Sequence, residues 1–166
     1  IQEILIKSAS DLISLDNPNY QFVAARLLLF SLRKSLYGRI RELPTLLDHI
    51  NKCVNNEIYD ADVLNKYTEE EINHFDTVID HDRDFIFTYA GLRQVVDKYL
   101  VQDRSSGQVY ETPQFMYLLI AMTIFSDYPQ ETRTDYVTRY YNAISKHKIN
   151  IPTPIMGGVR TPLRQF

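Results

Sequence analysis

The sequence predicts a mainly α-helical fold with one β-hairpin. Three observations predict it: apolar residues recur at helical spacing through most of the chain, proline and glycine separate these runs, and the period becomes alternating only near residues 99–111. The 166 residues are 45% hydrophobic and 23% charged. A chain of this size and composition can bury one core, which excludes a disordered or low-complexity protein.

The first two predicted helices open the chain. Apolar residues at helical spacing begin at Ile1 and stop before Pro18, because proline cannot continue a helical hydrogen-bond ladder. A second helix is predicted from Tyr20 to about Tyr37, with apolar residues over most of its surface. Gly38 follows it, and glycine favours the left-handed backbone that ends many helices.

Two shorter helices come next. Pro44 is predicted in the first turn of a helix that continues through Leu46 to Val54. Thr68 precedes a run of glutamates, with Glu71 at the third position. This spacing is typical of a capping box, in which the two side chains satisfy each other's backbone amides at a helix start.

The alternating segment predicts a β-hairpin. Residues 99–102 and 108–111 flank a loop that contains Gly107. Thr112 and Pro113 then form a typical helix start, and they open a buried helix that ends near residue 126.

One further helix carries apolar residues from Tyr136 to Ile144, and an extended segment follows it. Residues 149–158 contain two prolines and two glycines, a composition that we expect to forbid a helix.

Charge and cysteine content exclude several classes of protein. Eighteen basic and 21 acidic residues give a net charge of −3, without the basic excess of a dedicated nucleic-acid binder. The most continuous apolar stretch covers residues 115–125, whereas a membrane span needs about 20 residues. Cys53 is the only cysteine, which excludes an internal disulfide framework and suits a reducing compartment. We therefore expect a cytoplasmic protein without nucleic-acid or membrane partners.

The segment from Asp80 to Asp84 holds one histidine and three carboxylates. His81 and Asp84 could share a helix face and bind a metal, but no further ligand lies at matching spacing. We expect no metal site here and favour a hydrogen-bonded helix entrance, with Arg83 neutralising its neighbours. Cys53 has no adjacent base and is interpreted as a core thiol, so no catalytic residue is nominated.

Thr153 is the best phosphate-binding candidate in a chain that lacks the common glycine-rich phosphate loops. It lies between Pro152 and Pro154, and Gly157 and Gly158 follow closely. Prolines hold the backbone extended, and glycines let a ligand approach the main chain. From the residue chemistry alone, a simple connector is the favoured alternative.

The segment 150–166 closely resembles the lead-in to the catalytic barrel of the large subunit of class I ribonucleotide reductase. The resemblance continues through the whole chain in separate, correctly ordered motifs. These are NYQFVAAR at 19–26, LRK at 32–34, YTEEE at 67–71, IDHDRD at 79–84, KYLV at 98–101, GQVYE at 107–111 and LRQ at 163–165.

The resemblance implies a domain organisation and an activity. Residues 1–37 would be a remnant of the ATP-cone, 38–148 a helical region with the hairpin, and 149–166 the extended entry to the first strand of a ten-stranded α/β barrel that is otherwise absent. The family reduces ribonucleoside diphosphates by thiyl-radical chemistry, with thioredoxin or glutaredoxin as reductant. A metal-containing small subunit supplies the radical, and ATP or dATP acts as effector.

Few of the family's functional positions fall in this chain. The resemblance implies that Thr153 binds the substrate's phosphates, that Lys34 contacts the effector and that Phe30 lines the effector pocket. Gln2 stands where the family often has a histidine. The reactive cysteines of the family begin after the position of Phe166, and Cys53 matches none of them. We therefore expect no bound cofactor in this chain alone.

The absence of an initial methionine and the stop just before the reactive cysteines indicate a piece of a longer protein. A split gene, an interrupting intein, and a cleaved or trimmed chain are the open alternatives. We expect the piece to be inactive until a complementary chain supplies the barrel and its cysteines. The alternative function is a non-catalytic helical interaction module.

Overall fold

The computed structural model describes residues 1–163, and it confirms the mainly helical fold. Within that range there are nine α-helices, a 3₁₀ helix at His81–Ile86, a π-helical turn at Val95–Tyr99 and no β-strand. The helices are α1 Gln2–Asp11, α2 Tyr20–Tyr37, α3 Leu46–Asn55, α4 Asp62–Lys66, α5 Glu69–Val78, α6 Tyr89–Gln94, α7 Pro113–Ile124, α8 Gln130–Ser145 and α9 Thr153–Gly158.

Two predicted helix ends are confirmed in atomic detail. Gly38 has φ 69°, and its amide donates to the carbonyl of Lys34 at 2.9 Å, so α2 ends in the left-handed cap. At the start of α5, Oγ1 of Thr68 accepts from the amide of Glu71 at 3.2 Å. The Glu71 carboxylate accepts in return from the amide of Thr68 at 2.9 Å, which completes the capping box.

The predicted start of the third helix is wrong by a short distance. Thr45 is the N-cap of α3, because its hydroxyl accepts from the amide of Asp48 at 3.2 Å. Pro44 therefore lies before the cap rather than in the first turn.

The β-hairpin is not confirmed. A single antiparallel bridge joins Gln102 to Val109, and Tyr99 belongs to the π-helical turn. The amide of Val101 donates to the carboxylate of Glu111 at 2.8 Å. The carboxylate at the end of the second predicted strand thus takes an amide of the first, and the ladder does not extend beyond the single bridge.

The prediction of an extended segment over 149–158 is wrong, since α9 forms there. Pro152 is its N-cap and Pro154 occupies the second helical position, where no intrahelical amide bond is required. Gly157 and Gly158 lie in its last turn. The barrel-entry strand is not confirmed in residues 149–163, and Arg164, Gln165 and Phe166 of the predicted lead-in lie outside the described residues.

Helix α7 forms the centre of the core. Its residues from Pro113 to Met122 are all buried, so it is covered on every side. It packs against α8, α9 and the 3₁₀ helix, while α1 packs on α2 and α2 on α6. No helix in residues 1–163 combines the length and the apolar content needed to cross a bilayer.

Buried ion pairs join distant parts of this core. Within residues 1–163, three arginine–carboxylate pairs have both side chains at least nine-tenths buried. They are Arg33–Asp84, Arg133–Glu71 and Arg160–Glu111.

Candidate functional site

Thr153 is exposed at the first position of α9. Its Oγ1 lies 3.4 Å from the hydroxyl of Tyr99, at the end of the π-helical turn. Nε2 of Gln94 donates to the same Tyr99 hydroxyl at 3.3 Å. The hydrogen bonds to Thr153 and Gln94 hold the pKa of Tyr99 below its ordinary value of 10.0. Three polar side chains from two segments therefore meet at this surface.

A buried ion pair lies beneath this surface and connects to both segments. The guanidinium of Arg160 donates to the carbonyl of Met156 in α9 at 2.6 Å and to the carbonyl of Tyr99 at 3.0 Å. Its Nε donates to the Glu111 carboxylate at 3.0 Å, and Nη2 donates to it as well. Arg160 and Glu111 are 2% and 0% exposed, so the pair is shielded from water.

The geometry of this pair fixes the spacing between Thr153 and Tyr99. One guanidinium holds the backbone of α9 on one side and the backbone of the π-helical turn on the other. Burial disfavours the charge on Arg160, but the neighbouring Glu111 carboxylate outweighs it and raises the pKa of the guanidinium above its ordinary value. The Arg160 guanidinium is therefore permanently charged, and it acts as a clamp between α9 and the π-helical turn.

Glu111 also anchors a chain of buried polar groups. The hydroxyl of Tyr59 donates to its carboxylate at 2.5 Å, and Nε2 of His49 lies 2.9 Å from that hydroxyl. The Tyr59 hydroxyl uses its only hydrogen in the bond to Glu111. His49 is therefore the donor to the Tyr59 oxygen, and its ring carries a hydrogen on Nε2. The ring of His49 stacks on Phe115, with centroids 4.0 Å apart. Burial lowers the pKa of His49 to about 3, so the ring is neutral.

Cys53 lies next to these buried polar groups. Its Sγ is 3.9 Å from Nε2 of His49, and the residue is 2% exposed. Burial raises the pKa of its thiol to about 12, with the Glu111 carboxylate as a second cause. The interpretation of Cys53 as a core thiol is confirmed, and the group is a poor nucleophile.

The three predicted effector residues lie on the first two helices. Oε1 of Gln2 accepts from the hydroxyl of Ser31 in α2 at 3.3 Å. Phe30 is adjacent to Ser31 and packs edge-on against Phe85, with centroids 6.0 Å apart. Lys34 is exposed one turn further along α2. The structure thus places Gln2 beside the segment of α2 that carries Phe30 and Lys34.

The acidic segment around His81 forms the hydrogen-bonded helix entrance that its sequence indicates. Asp80 caps the 3₁₀ helix by accepting from the amide of Asp82 at 3.1 Å, and it pairs with Arg83 at 3.2 Å. Asp84 is buried and accepts from Arg33 at 3.1 Å. In the part of the chain that the structure describes, no group of three or more metal-ligating side chains is present.

Asp84 belongs to a second polar network that sequence reasoning missed. Gln114 in α7 donates to its carboxylate at 2.9 Å and accepts from Tyr141 in α8 at 2.8 Å. Burial raises the pKa of Asp84 to about 6, against the lowering effects of Gln114 and Arg33. One signal in the sequence could have indicated the network around Asp84: Gln114 is a polar residue inside the otherwise apolar run of α7.

Two comparisons show which known proteins this chain is similar to. Residues 85–164, which include Thr153 and both members of the Arg160–Glu111 pair, match the family model described as ribonucleotide reductase, all-alpha domain. The helical fold of residues 1–163 agrees with that description.

The relatives that match the whole chain are ribonucleoside-diphosphate reductase alpha subunits. The chain is 55% identical over all 166 residues to ribonucleoside-diphosphate reductase 1 subunit alpha of Escherichia coli K12. It is 54% identical to the corresponding subunit of Haemophilus influenzae and 49% identical to that of Enterobacteria phage T4, again over its full length. Over its whole length the chain matches the N-terminal regions of class I ribonucleotide reductase large subunits. It spans 22% of the length of each of these relatives.

Proposed function

We propose that this chain is the N-terminal part of a ribonucleoside-diphosphate reductase large subunit. The complete enzyme reduces ribonucleoside diphosphates to deoxyribonucleoside diphosphates for DNA synthesis, by thiyl-radical chemistry in the cytoplasm. The observation that carries the proposal is the 55% identity to the Escherichia coli alpha subunit across every residue of the chain.

The chain supplies binding and support rather than the reacting thiols. Cys53 is buried with a raised pKa, so the redox cysteines belong to a complementary stretch of polypeptide. The partners of the assembled enzyme are that complementary chain with the barrel, the radical-generating small subunit, and thioredoxin or glutaredoxin. The substrate is a nucleoside diphosphate.

The domain assignment follows the same proposal. Residues 1–37 belong to the ATP-cone, 38–148 are the helical region, and 149–166 lead into the first strand of the barrel. Thr153 binds the substrate's phosphates through its exposed hydroxyl. Lys34, Phe30 and Gln2 belong to the site for ATP or dATP.

Reconstitution tests this function. The chain is mixed with the polypeptide that carries the rest of the large subunit, the small subunit, a thiol reductant and a nucleoside diphosphate. Deoxynucleotide formation is expected only when all proteins are present. Thr153→Val should raise KM because the phosphate loses a hydrogen bond. Activity with an unchanged KM in this variant would disprove the phosphate role.

A second candidate function is supported by the surface of α1. Ile1, Ile4 and Leu5 are 97%, 68% and 50% exposed, which is unusual for large apolar side chains that lie so close together. A non-catalytic helical interaction module would use this surface to bind a partner. Failure of the reconstituted mixture to reduce nucleotides, together with a complex that depends on these side chains, would favour the module.

A further inference from the structure

We propose that Tyr99 is a second hydroxyl donor to the phosphate group that Thr153 binds. The inference rests on the proposed function, and it adds a residue from a different segment to the same site. It depends on the juxtaposition of the two hydroxyls, on the donor behind Tyr99 and on the clamp beneath both.

The two hydroxyls are close enough to address one phosphate. Tyr99 OH and Thr153 Oγ1 are 3.4 Å apart, and Thr153 is exposed. Strong hydroxyl hydrogen bonds are about 2.5–3.0 Å long, so this contact is weak and neither proton is committed to it. Both protons can therefore turn to a common anionic acceptor, where each forms a stronger, charge-assisted bond.

Gln94 sets the direction in which Tyr99 donates. Its Nε2 donates to the Tyr99 oxygen at 3.3 Å, and an amide nitrogen can only donate. The Tyr99 oxygen is thus already an acceptor on that side, which leaves its proton for Thr153 or for a ligand. The positive charge of Lys98, the preceding residue, adds an electrostatic contribution that favours an anion at this surface.

The Arg160–Glu111 pair makes the two-donor geometry persistent. Arg160 donates to the carbonyls of Met156 and Tyr99, and thereby holds α9 and the π-helical turn at a fixed separation. A ligand does not have to order these segments on binding, which reduces the entropic cost. Arg160 is a positioning residue in this arrangement, because it lies 2% exposed beneath the site and does not face the ligand.

A double-mutant cycle in the reconstituted enzyme tests the proposal. The assembled protein is compared with Tyr99→Phe, Thr153→Val and the double variant, with KM and kcat for a nucleoside diphosphate as readouts. Loss of a hydrogen bond to a charged group predicts a rise in KM of about tenfold for Tyr99→Phe. The kcat should change little, because the phosphate is bound equally in the ground and transition states.

The decisive comparison is made in the absence of Thr153 Oγ1. A direct donor still raises KM when Tyr99→Phe is introduced into the Thr153→Val background. Tyr128→Phe is the matched control, because the Tyr128 ring packs against Phe125 and Tyr136 and its hydroxyl is not bonded to Thr153, so its KM should equal that of the unmodified enzyme.

Two results would overturn the proposal while leaving the proposed function intact. One is an unchanged KM in Tyr99→Phe. The other is an effect of Tyr99→Phe that disappears in the Thr153→Val background, since Tyr99 would then only orient Thr153. A reconstituted unmodified enzyme without reductase activity would instead overturn the proposed function, and this inference with it.

Discussion

Helices α1 and α9 are fixed to the molecule in opposite ways. Helix α1 has ten residues and well-spaced apolar positions, yet only Ile6 and Ala9 are buried in it. Helix α9 has six residues, including a proline and two glycines, and has no fully buried residue of its own. It is held instead by Arg160, which follows it and bonds to Met156, Tyr99 and Glu111. One buried ion pair thus stabilises a segment that its intrinsic helix propensity would not.

The largest effect is expected from breaking that pair. Arg160→Met leaves the Glu111 carboxylate buried without its counter-charge, and removal of one partner of a buried pair costs about 3–5 kcal/mol. The free energy of unfolding, measured with urea, should fall by this amount. The control is Arg39→Met, because Arg39 pairs with Glu42 in the open, with side chains 67% and 77% exposed. That change should cost under about 1 kcal/mol, and equal losses would contradict the proposed role of the buried pair.

The buried hydrogen-bonded groups Glu111, Tyr59 and His49 should make the free energy of unfolding depend on pH, through His49. The pKa of His49 is about 3 in the folded protein against an ordinary 6.5, so the unfolded state binds more protons between these values. Stability therefore falls as the pH drops below 6.5. The contribution of His49 is about 2 kcal/mol between pH 6.5 and 4.5.

The variant His49→Gln should show a shallower loss of stability over this range than the unmodified protein. His74→Gln, at an exposed histidine, should keep the full slope. Asp84 acts in the opposite direction, because its raised pKa of about 6 favours the folded state at low pH, but it is common to all three proteins. Identical slopes for His49→Gln and the unmodified protein would show that His49 is not the group responsible.

Alanine substitutions at two helix glycines should change the free energy of unfolding by about 1 kcal/mol or less, in opposite directions. Gly38 at the end of α2 has φ 69°, so Gly38→Ala strains the backbone and should destabilise by about 1 kcal/mol. Gly157 in α9 has no positive φ, and a methyl group on its Cα would point into open space. Gly157→Ala should therefore stabilise by about 0.5–1 kcal/mol, because alanine favours a helix. Thermal unfolding of both variants checks the opposite signs.

The smallest effect is expected on the outer face of α1. Ile4 is 68% exposed, so Ile4→Ala should change the free energy of unfolding by less than about 0.5 kcal/mol. Ile6→Ala is the matched control on the same helix, since Ile6 is 8% exposed and loses buried contacts. If Ile4→Ala is the more destabilising of the two, its side chain is covered in solution by another surface.

Local chemistry explains which parts of the fold could be predicted from the sequence. The cap at Gly38, the capping box at Thr68 and the buried helix from Pro113 depend on residues close to one another in the chain, and all three are confirmed. The hairpin and the extended segment over 149–158 are not confirmed, because side-chain contacts override local preference there. Within the hairpin segment Glu111 takes the amide of Val101, and α9 is held by Arg160, which lies 49 residues from its partner Glu111 along the sequence.

The candidate site shows the same division. Thr153 could be singled out from its neighbouring prolines and glycines, but Tyr99 could not, since 54 residues separate the two hydroxyls. The hydrogen bonds that link Glu111, Tyr59 and His49 likewise could not be predicted from the sequence, because no spacing rule relates these positions. Periodicity predicts which residues are buried, and it does not predict which buried polar groups meet.

The Arg160–Glu111 pair also has a consequence for the order of synthesis. A ribosome that has released residue 111 but not residue 160 presents a nascent chain in which Glu111 has no guanidinium to neutralise it. Placing that carboxylate in an apolar interior is costly, so closure of the region around α7 is disfavoured until Arg160 leaves the exit tunnel. We expect the helices made first to complete a cooperative domain only after this later arginine has emerged.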